Sequence, residues 1–223
     1  MNPDFWHERW QNRQIGFHRD EVHPYLTRFW PALGVAPGSR VFVPLCGKSN
    51  DLLWLRAQGH EVVGVEVSPI AVREFFEENR LTPSISTVDS FQLYECDGIR
   101  LYCGDFFALT ASHLAGVSAV YDRAALVALP PELRAHYARH LLQLLPSGVK
   151  TLLVAFEYPQ HEMPGPPFNV DAEEIAALFG AQCDIRLLLE ADILAQEPRF
   201  RDKGVTRLKE AVYVLRVKDR LLG

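Results

Sequence analysis

The sequence predicts an α/β protein: a doubly wound, mostly parallel sheet of seven strands with one antiparallel strand near its edge. Three observations carry this. Short β-branched or aromatic runs such as Val41-Phe42-Val43 alternate with longer segments of helical period, as buried strands and crossover helices do. Turns marked by glycine or proline recur after these strands, on the edge where open α/β sheets bind ligands. The chain then closes as strand–loop–strand with no helix between, so its last two strands should pair antiparallel. A length of 223 residues favours one domain. Within residues 1–223 we expect an N-terminal helical lid segment, 1–38, ahead of an α/β core, 39–223.

Residues 3–12 read as a helix, with Trp6 and Trp10 as i, i+4 neighbours. The two tryptophans suit a core staple or a lid whose aromatic edge covers a ligand. A break at Gln14–His18 precedes a second helix from about Val22 to Trp30. Pro31, Gly34, Pro37 and Gly38 stop it. Arg40–Glu66 reads as strand, glycine-containing turn, helix and second strand, the last stopping on an acid. Ser68-Pro69 is an N-cap followed by a proline at the first helical position. The helix that follows aligns Val72, Phe75, Phe76 and Asn79, with Glu74, Glu77 and Glu78 outside.

Residues 80–90 are polar and read as a loop. Asp97-Gly98 is a two-residue turn signal between Phe91–Cys96 and Ile99–Cys103, hence a hairpin. Val117–Tyr121 is a strand ending on Asp122-Arg123. Leu133, Tyr137, Leu141 and Leu144 mark a helix opened by Pro130-Pro131. Leu152–Phe156 is a buried strand, and the proline-rich Tyr158–Asn169 should be an extended, stiff loop. Asp171 with Glu174 forms a capping-box pattern on a helix ended by Gly180. Cys183–Leu189 and Glu210–Val217 are the last strands, around a charged, poorly periodic stretch.

Composition narrows the function classes. A hydrophobic share of 48% and an aromatic share of 11% supply a substantial core. The net charge of −5, with no block of one sign, argues against a nucleic-acid binder. The charged N-terminus lacks an apolar signal region, and no run is long enough to span a membrane, so a cytoplasmic protein is expected. Four scattered cysteines, Cys46, Cys96, Cys103 and Cys183, show no metal-ligand spacing and suit free thiols. No metal is expected. With no heptad seam, a monomer is the default.

The turn between the first two strands carries the most chemistry. Cys46-Gly47-Lys48-Ser49 invites a phosphate-loop reading, but Phe42 stands where that motif needs its first glycine. A dinucleotide fingerprint needs three glycines and finds only Gly47. Glu66 follows Gly47 by nineteen residues, a spacing that lets a carboxylate accept ribose hydroxyls. A ligand with a nucleoside and no phosphate fits both facts, which points to S-adenosylmethionine. Asp105 stands where an adenine amino group would be held, with Phe106 as a stacking face; capping a short helix is the competing role for that acid.

Six segments resemble the thiopurine S-methyltransferases, of bacterial type, within the class I S-adenosylmethionine-dependent superfamily. They are Trp6–His18, VFVPLCGKS (Val41–Ser49), GHEVVGVEVS (Gly59–Ser68), LYCGDFF (Leu101–Phe107), YDRAALVAL (Tyr121–Leu129) and PGPPF (Pro164–Phe168), in the family's order. The resemblance implies methyl transfer from S-adenosylmethionine to a sulfur acceptor, leaving S-adenosylhomocysteine. It places Trp10, Leu45, Gly47, Glu66, Asp105, Phe106 and Arg123 at the cofactor. It places Phe17 and Arg199 at the acceptor; Pro166 and Phe168 of the proline loop are expected to wall the site, and Arg123 and Arg199, whose charge favours a thiolate, are the catalytic candidates.

Such a reaction needs alignment and exclusion of water more than acid–base chemistry, and positioning alone supplies about 7–11 kcal/mol. A small aromatic or heterocyclic thiol is the expected partner, with selenium or tellurium species as related acceptors. An oxygen or nitrogen acceptor on the same fold, or a nucleotide-binding module without turnover, are the alternatives.

Overall fold

The computed structural model describes residues 3–219. By its internal contacts the chain divides between Tyr121 and Asp122 into two compact units.

In the first unit, helix α1 (Pro3–Gln11) and the short α2 (Pro24–Phe29) precede β1 (Arg40–Val43). Then come α3 (Asp51–Ala57), β2 (Glu61–Glu66), α4 (Pro69–Glu78), β3 (Ser84–Val88), β4 (Phe91–Cys96), β5 (Ile99–Cys103) and β6 (Val117–Arg123), which crosses the boundary. The strand order is β3-β4-β5-β2-β1-β6. β5, β2, β1 and β6 are parallel, with Val63 opposite Phe42 and Glu66 opposite Cys103. Val41, Phe42, Val62, Val63 and Val65 are buried, as strands covered on both faces require. Helices α3 and α4 pack on β2 through Leu52, Leu55, Val72, Phe75 and Phe76. Ser68 caps α4 as expected, accepting the Ala71 N–H at 3.4 Å.

The polar stretch 80–90 holds a strand rather than a loop alone. Ser84–Val88 pairs antiparallel with β4 at the sheet edge. Four of its five residues are exposed, so no alternation of apolar and polar side chains marks it. Glu74 is not outside either: its carboxylate is drawn inward onto Lys48 at 2.9 Å.

The second unit continues from β6 into α5 (Pro131–Leu144), β7 (Lys150–Glu157), α6 (Ala172–Phe179), β8 (Cys183–Asp192), α7 (Pro198–Arg201) and β9 (Lys209–Val217). Its strands run in the order β7-β9-β8, and β9 is antiparallel to both neighbours. The expected closing antiparallel pair is therefore present. The described residues hold nine strands rather than seven. β8 runs on to Asp192, past the predicted Leu189, through a bulge between Leu187 and Leu189 that breaks its period.

Asp171 caps α6 by accepting the Glu174 N–H at 2.8 Å. The reciprocal half of the expected capping box is replaced. Glu174 instead holds Arg134 of α5, with both carboxylate oxygens within 2.7 Å of Nη1.

Candidate active site

In the first unit the site is built at the carboxyl ends of β1, β2 and β5. After Val43 the chain turns through Leu45 at φ 45° and Gly47 at φ 54°. Left-handed backbone at a non-glycine residue such as Leu45 persists only where the surroundings fix it, and such residues cluster at ligand clamps. The Cys46 N–H donates to Val65 O at 3.0 Å, pinning this turn to β2. A side chain at position 47 would meet both the positive φ and Trp10, whose Cζ2 lies 3.4 Å from a Cβ there.

Glu66 ends β2 and is 6% exposed. Its Oε2 accepts the Gly47 N–H at 2.9 Å and its Oε1 the Ser68 N–H at 2.7 Å. Burial raises its carboxyl above the usual range, while the Ser68 and Gly47 N–H groups and His7 pull it back toward the charged form. A carboxylate offers about four acceptor positions, so Glu66 keeps acceptor capacity beyond its backbone N–H bonds.

Lys48 completes the turn without serving as a phosphate ligand. It is 6% exposed, and its ammonium donates to Glu74 at 2.9 Å and Glu78 at 2.6 Å. Burial alone would lower its pKa; the two carboxylates outweigh that and raise it. Arg13, just past α1, reaches the other oxygen of Glu74 at 2.6 Å. His7 on α1 hydrogen-bonds Val67 O at 3.1 Å. Helix α1 is thus fastened to α4 and to the residue next to Glu66. Trp6 and Trp10 are buried, and each meets Phe17 edge to face, at 5.6 and 5.7 Å.

The segment after β5 adjoins the acid through the Gly104 N–H, which donates to Glu66 O at 2.9 Å. Asp105 is exposed and uses Oδ1 to cap the following 3-10 turn through the Phe107 N–H at 3.0 Å. The capping role expected as the alternative for this acid is therefore filled. Phe106 is 3% exposed and meets Phe107 edge to face. Burial raises the thiol of Cys46 well above its ordinary value and that of Cys103 to about 11, and the Glu66 charge adds to both. Neither thiol is poised as a nucleophile. No group of three or more His, Cys, Asp or Glu among the described residues is arranged to hold a metal.

The second unit carries Arg123, Pro166, Phe168 and Arg199. Arg123 is half-buried at the end of β6, between the buried Asp122 and Ala124 at φ 61°. The loop after β7 is tied down by hydrogen bonds. Tyr158 Oη donates to Pro167 O at 2.7 Å, its N–H donates to Asn169 Oδ1 at 3.0 Å, and the Phe168 N–H donates to Val127 O at 2.7 Å. The Gly165-Pro166 and Pro166-Pro167 peptides are cis. Gly165, at φ 80°, has no room for a side chain because a Cβ would fall 2.5 Å from the Phe168 ring. Arg199 is exposed on α7, 3.6 Å from Glu197. Its neighbour Phe200 packs into a buried cluster with Tyr158 and Met163, so α7 and the proline loop share one support.

Sequence reasoning missed several supports. Arg134 is 2% exposed, donates to Leu129 O and Glu174, and lies 5.6 Å over the Phe168 ring. Its position on the buried stripe of α5, one turn before Tyr137, was the available signal. His7 lay inside a matched segment without a distinct signal of its own, and Ser68, expected as a helix cap, also gives its N–H to Glu66.

A mostly parallel sheet with a glycine turn after β1 and a buried acid at the end of β2 has the arrangement expected of a class I S-adenosylmethionine-dependent methyltransferase. Comparison with solved structures agrees on the fold. A SAM-dependent methyltransferase from Anabaena variabilis superposes with a TM-score of 0.65 at 16% identity, covering 97% of this chain and 95% of that one. A Burkholderia thailandensis 1,6-didemethyltoxoflavin-N1-methyltransferase, solved with S-adenosylhomocysteine, gives 0.64 at 15% identity, covering 97% and 87%.

The family is closer in sequence. Residues 1–218 match the thiopurine S-methyltransferase family model. A thiopurine S-methyltransferase of Nitrosospira multiformis is 54% identical over 96% of this chain and 98% of its own. One from Pseudomonas fluorescens is 50% identical over 97% and 99%. This chain belongs to the thiopurine S-methyltransferase family and is an S-adenosylmethionine-dependent methyltransferase.

Proposed function

We propose that the enzyme methylates the sulfur of small aromatic or heterocyclic thiols of the thiopurine type, and selenium or tellurium analogues as softer nucleophiles of the same geometry. The observation that carries the cofactor half is the buried Glu66 carboxylate, fixed by backbone N–H groups at the end of β2, beside a turn whose Lys48 is neutralised by Glu74 and Glu78. The sulfur half rests on relatives at 50–54% identity that carry the thiopurine S-methyltransferase name.

When bound, S-adenosylmethionine supplies an activated methyl on a positively charged sulfur. Glu66 holds the ribose, Gly47 and Leu45 give the cofactor close backbone approach, and Trp10 closes over the turn. Asp105 and Phe106 flank the adenine, and Arg123 neutralises the cofactor carboxylate. Phe17, Pro166 and Phe168 wall a flat acceptor, while Arg199 approaches it. The acceptor sulfur forms its new bond to the methyl as the sulfonium carbon–sulfur bond breaks, giving a thioether and S-adenosylhomocysteine. The acceptor proton leaves to water, because a guanidinium cannot take it. Arg123 and Arg199 favour the thiolate by their charge.

Residues 1–38 act as a lid segment on a single methyltransferase domain that works in the cytoplasm as a monomer. No described helix is long and apolar enough to cross a membrane. The test is turnover of S-adenosylmethionine by purified enzyme with matched thiols, phenols and amines. Aromatic thiols should be methylated far faster than the rest. Equal or better turnover of phenols or amines overturns the sulfur assignment, and tight cofactor binding without any turnover favours a binding module.

A further inference from the structure

The proposed reaction uses Arg123, and its chain neighbour Asp122 is a buried carboxyl. Asp122 is 1% exposed inside an apolar strand end. Its Oδ2 accepts the Tyr137 hydroxyl of α5 at 2.6 Å, and its Oδ1 accepts the Leu126 N–H at 3.1 Å. The carboxylate therefore bridges the turn Arg123–Leu126 from the inside and ties it to α5. Within that turn Ala124 stands at φ 61°, a conformation that a non-glycine residue keeps only when its surroundings hold it. The 3-10 turn that follows, Leu126–Ala128, offers Val127 O to the Phe168 N–H at 2.7 Å. One carboxylate thus sits at the root of the segment that carries Arg123 and docks the proline loop.

We infer that Asp122 is a positioning residue for cofactor binding: held by Tyr137, it fixes the Arg123–Leu126 turn so that the Arg123 guanidinium is presented in one place. Burying a carboxyl is costly, and a site needed only for packing is filled more cheaply by an apolar side chain. Burial raises Asp122 to about 6, against the pull of Tyr137 and the Leu126 and Ala125 N–H groups, so the enzyme carries a strained acid here. Tyr137 is itself raised well above its ordinary value by burial and by Asp122, and stays a donor.

The inference rests on the proposed contact of Arg123 with the cofactor, and a double-mutant cycle separates the two. S-adenosylmethionine affinity is measured by calorimetry for the full-length enzyme, Asp122→Asn, Arg123→Ala and the double variant. Asp122→Asn should weaken binding by about tenfold when Arg123 is present and by under about twofold when it is not, a coupling within the range of contacting residues. Equal losses in both backgrounds overturn the positioning role and leave Asp122 a general support of the fold. An unchanged affinity in Arg123→Ala alone overturns the reading of Arg123 instead. If Asp122→Asn does not fold, Tyr137→Phe takes its place in the cycle, since it keeps the carboxylate and removes one donor. A smaller loss that again disappears without Arg123 supports the role, and a loss independent of Arg123 overturns it.

Discussion

Glu66 at the end of β2 accepts the N–H of Gly47 at 2.9 Å, tying the acid of the second strand to the turn that follows the first. The Ser68 N–H holds its other oxygen at 2.7 Å. Both bonds fix the carboxylate in orientation before any ligand arrives, which lowers the ordering cost of binding.

Replacing this acid tests the cofactor site. Glu66→Ala removes the acceptors proposed for the ribose hydroxyls and should cost on the order of 2–4 kcal/mol of S-adenosylmethionine binding. Calorimetry reads the loss, and a weakening below about tenfold contradicts the ribose role. Glu66→Gln should also bind poorly, because its amide nitrogen would face a backbone N–H donor.

Lys48 is a structural cation in this account. Lys48→Met leaves the shielded Glu74 with a weaker set of partners and Glu78 with one fewer, so folding stability should fall by about 1–3 kcal/mol. Urea unfolding measures this. Full stability with a collapse of cofactor affinity would instead make Lys48 a ligand.

The lid depends on an aromatic contact over a glycine. Trp10→Ala uncovers Gly47 and removes the edge that meets Phe17, and should weaken cofactor binding together with fold stability. Deleting residues 1–18 should abolish binding. Unchanged affinity in the deletion sinks the lid.

The raised Asp122 acid makes a linkage prediction. Its native pKa of about 6 lies above the ordinary 3.8, so between these values the native state binds more protons than the unfolded one. Stability from this group is fully present below about pH 4 and is lost as pH rises through about 6, by on the order of 3 kcal/mol. Asp122→Asn should flatten that part of the stability–pH curve measured by denaturant titration. An unchanged curve means that the native carboxyl titrates normally.

Much of the fold was legible because it obeys local rules. β1, α3 and β2 announce themselves through buried β-branched runs, Gly47 and an acid at the strand end, and the β4–β5 hairpin through Asp97-Gly98. β3 stayed hidden because Ser84–Val88 buries almost nothing and so has no pattern. The residues proposed for the cofactor come from one continuous stretch and the matched segments. What hid was long-range pairing. Lys48 finds Glu74 and Glu78, Glu174 abandons its capping box for Arg134, and Asp122 finds Tyr137 on another element. Each pair joins residues whose sequence neighbourhoods give no hint of the other. Arg134 lies on the buried stripe of α5, but nothing in the sequence names its partners Leu129 O and Glu174.

The most direct measurement offers the enzyme one acceptor with two competing nucleophiles, a mercapto-substituted nitrogen heterocycle, and locates the transferred methyl by NMR. The account predicts the methyl on sulfur, with its carbon signal in the thioether range, and S-adenosylhomocysteine formed in equal amount. A methyl on ring nitrogen would contradict it.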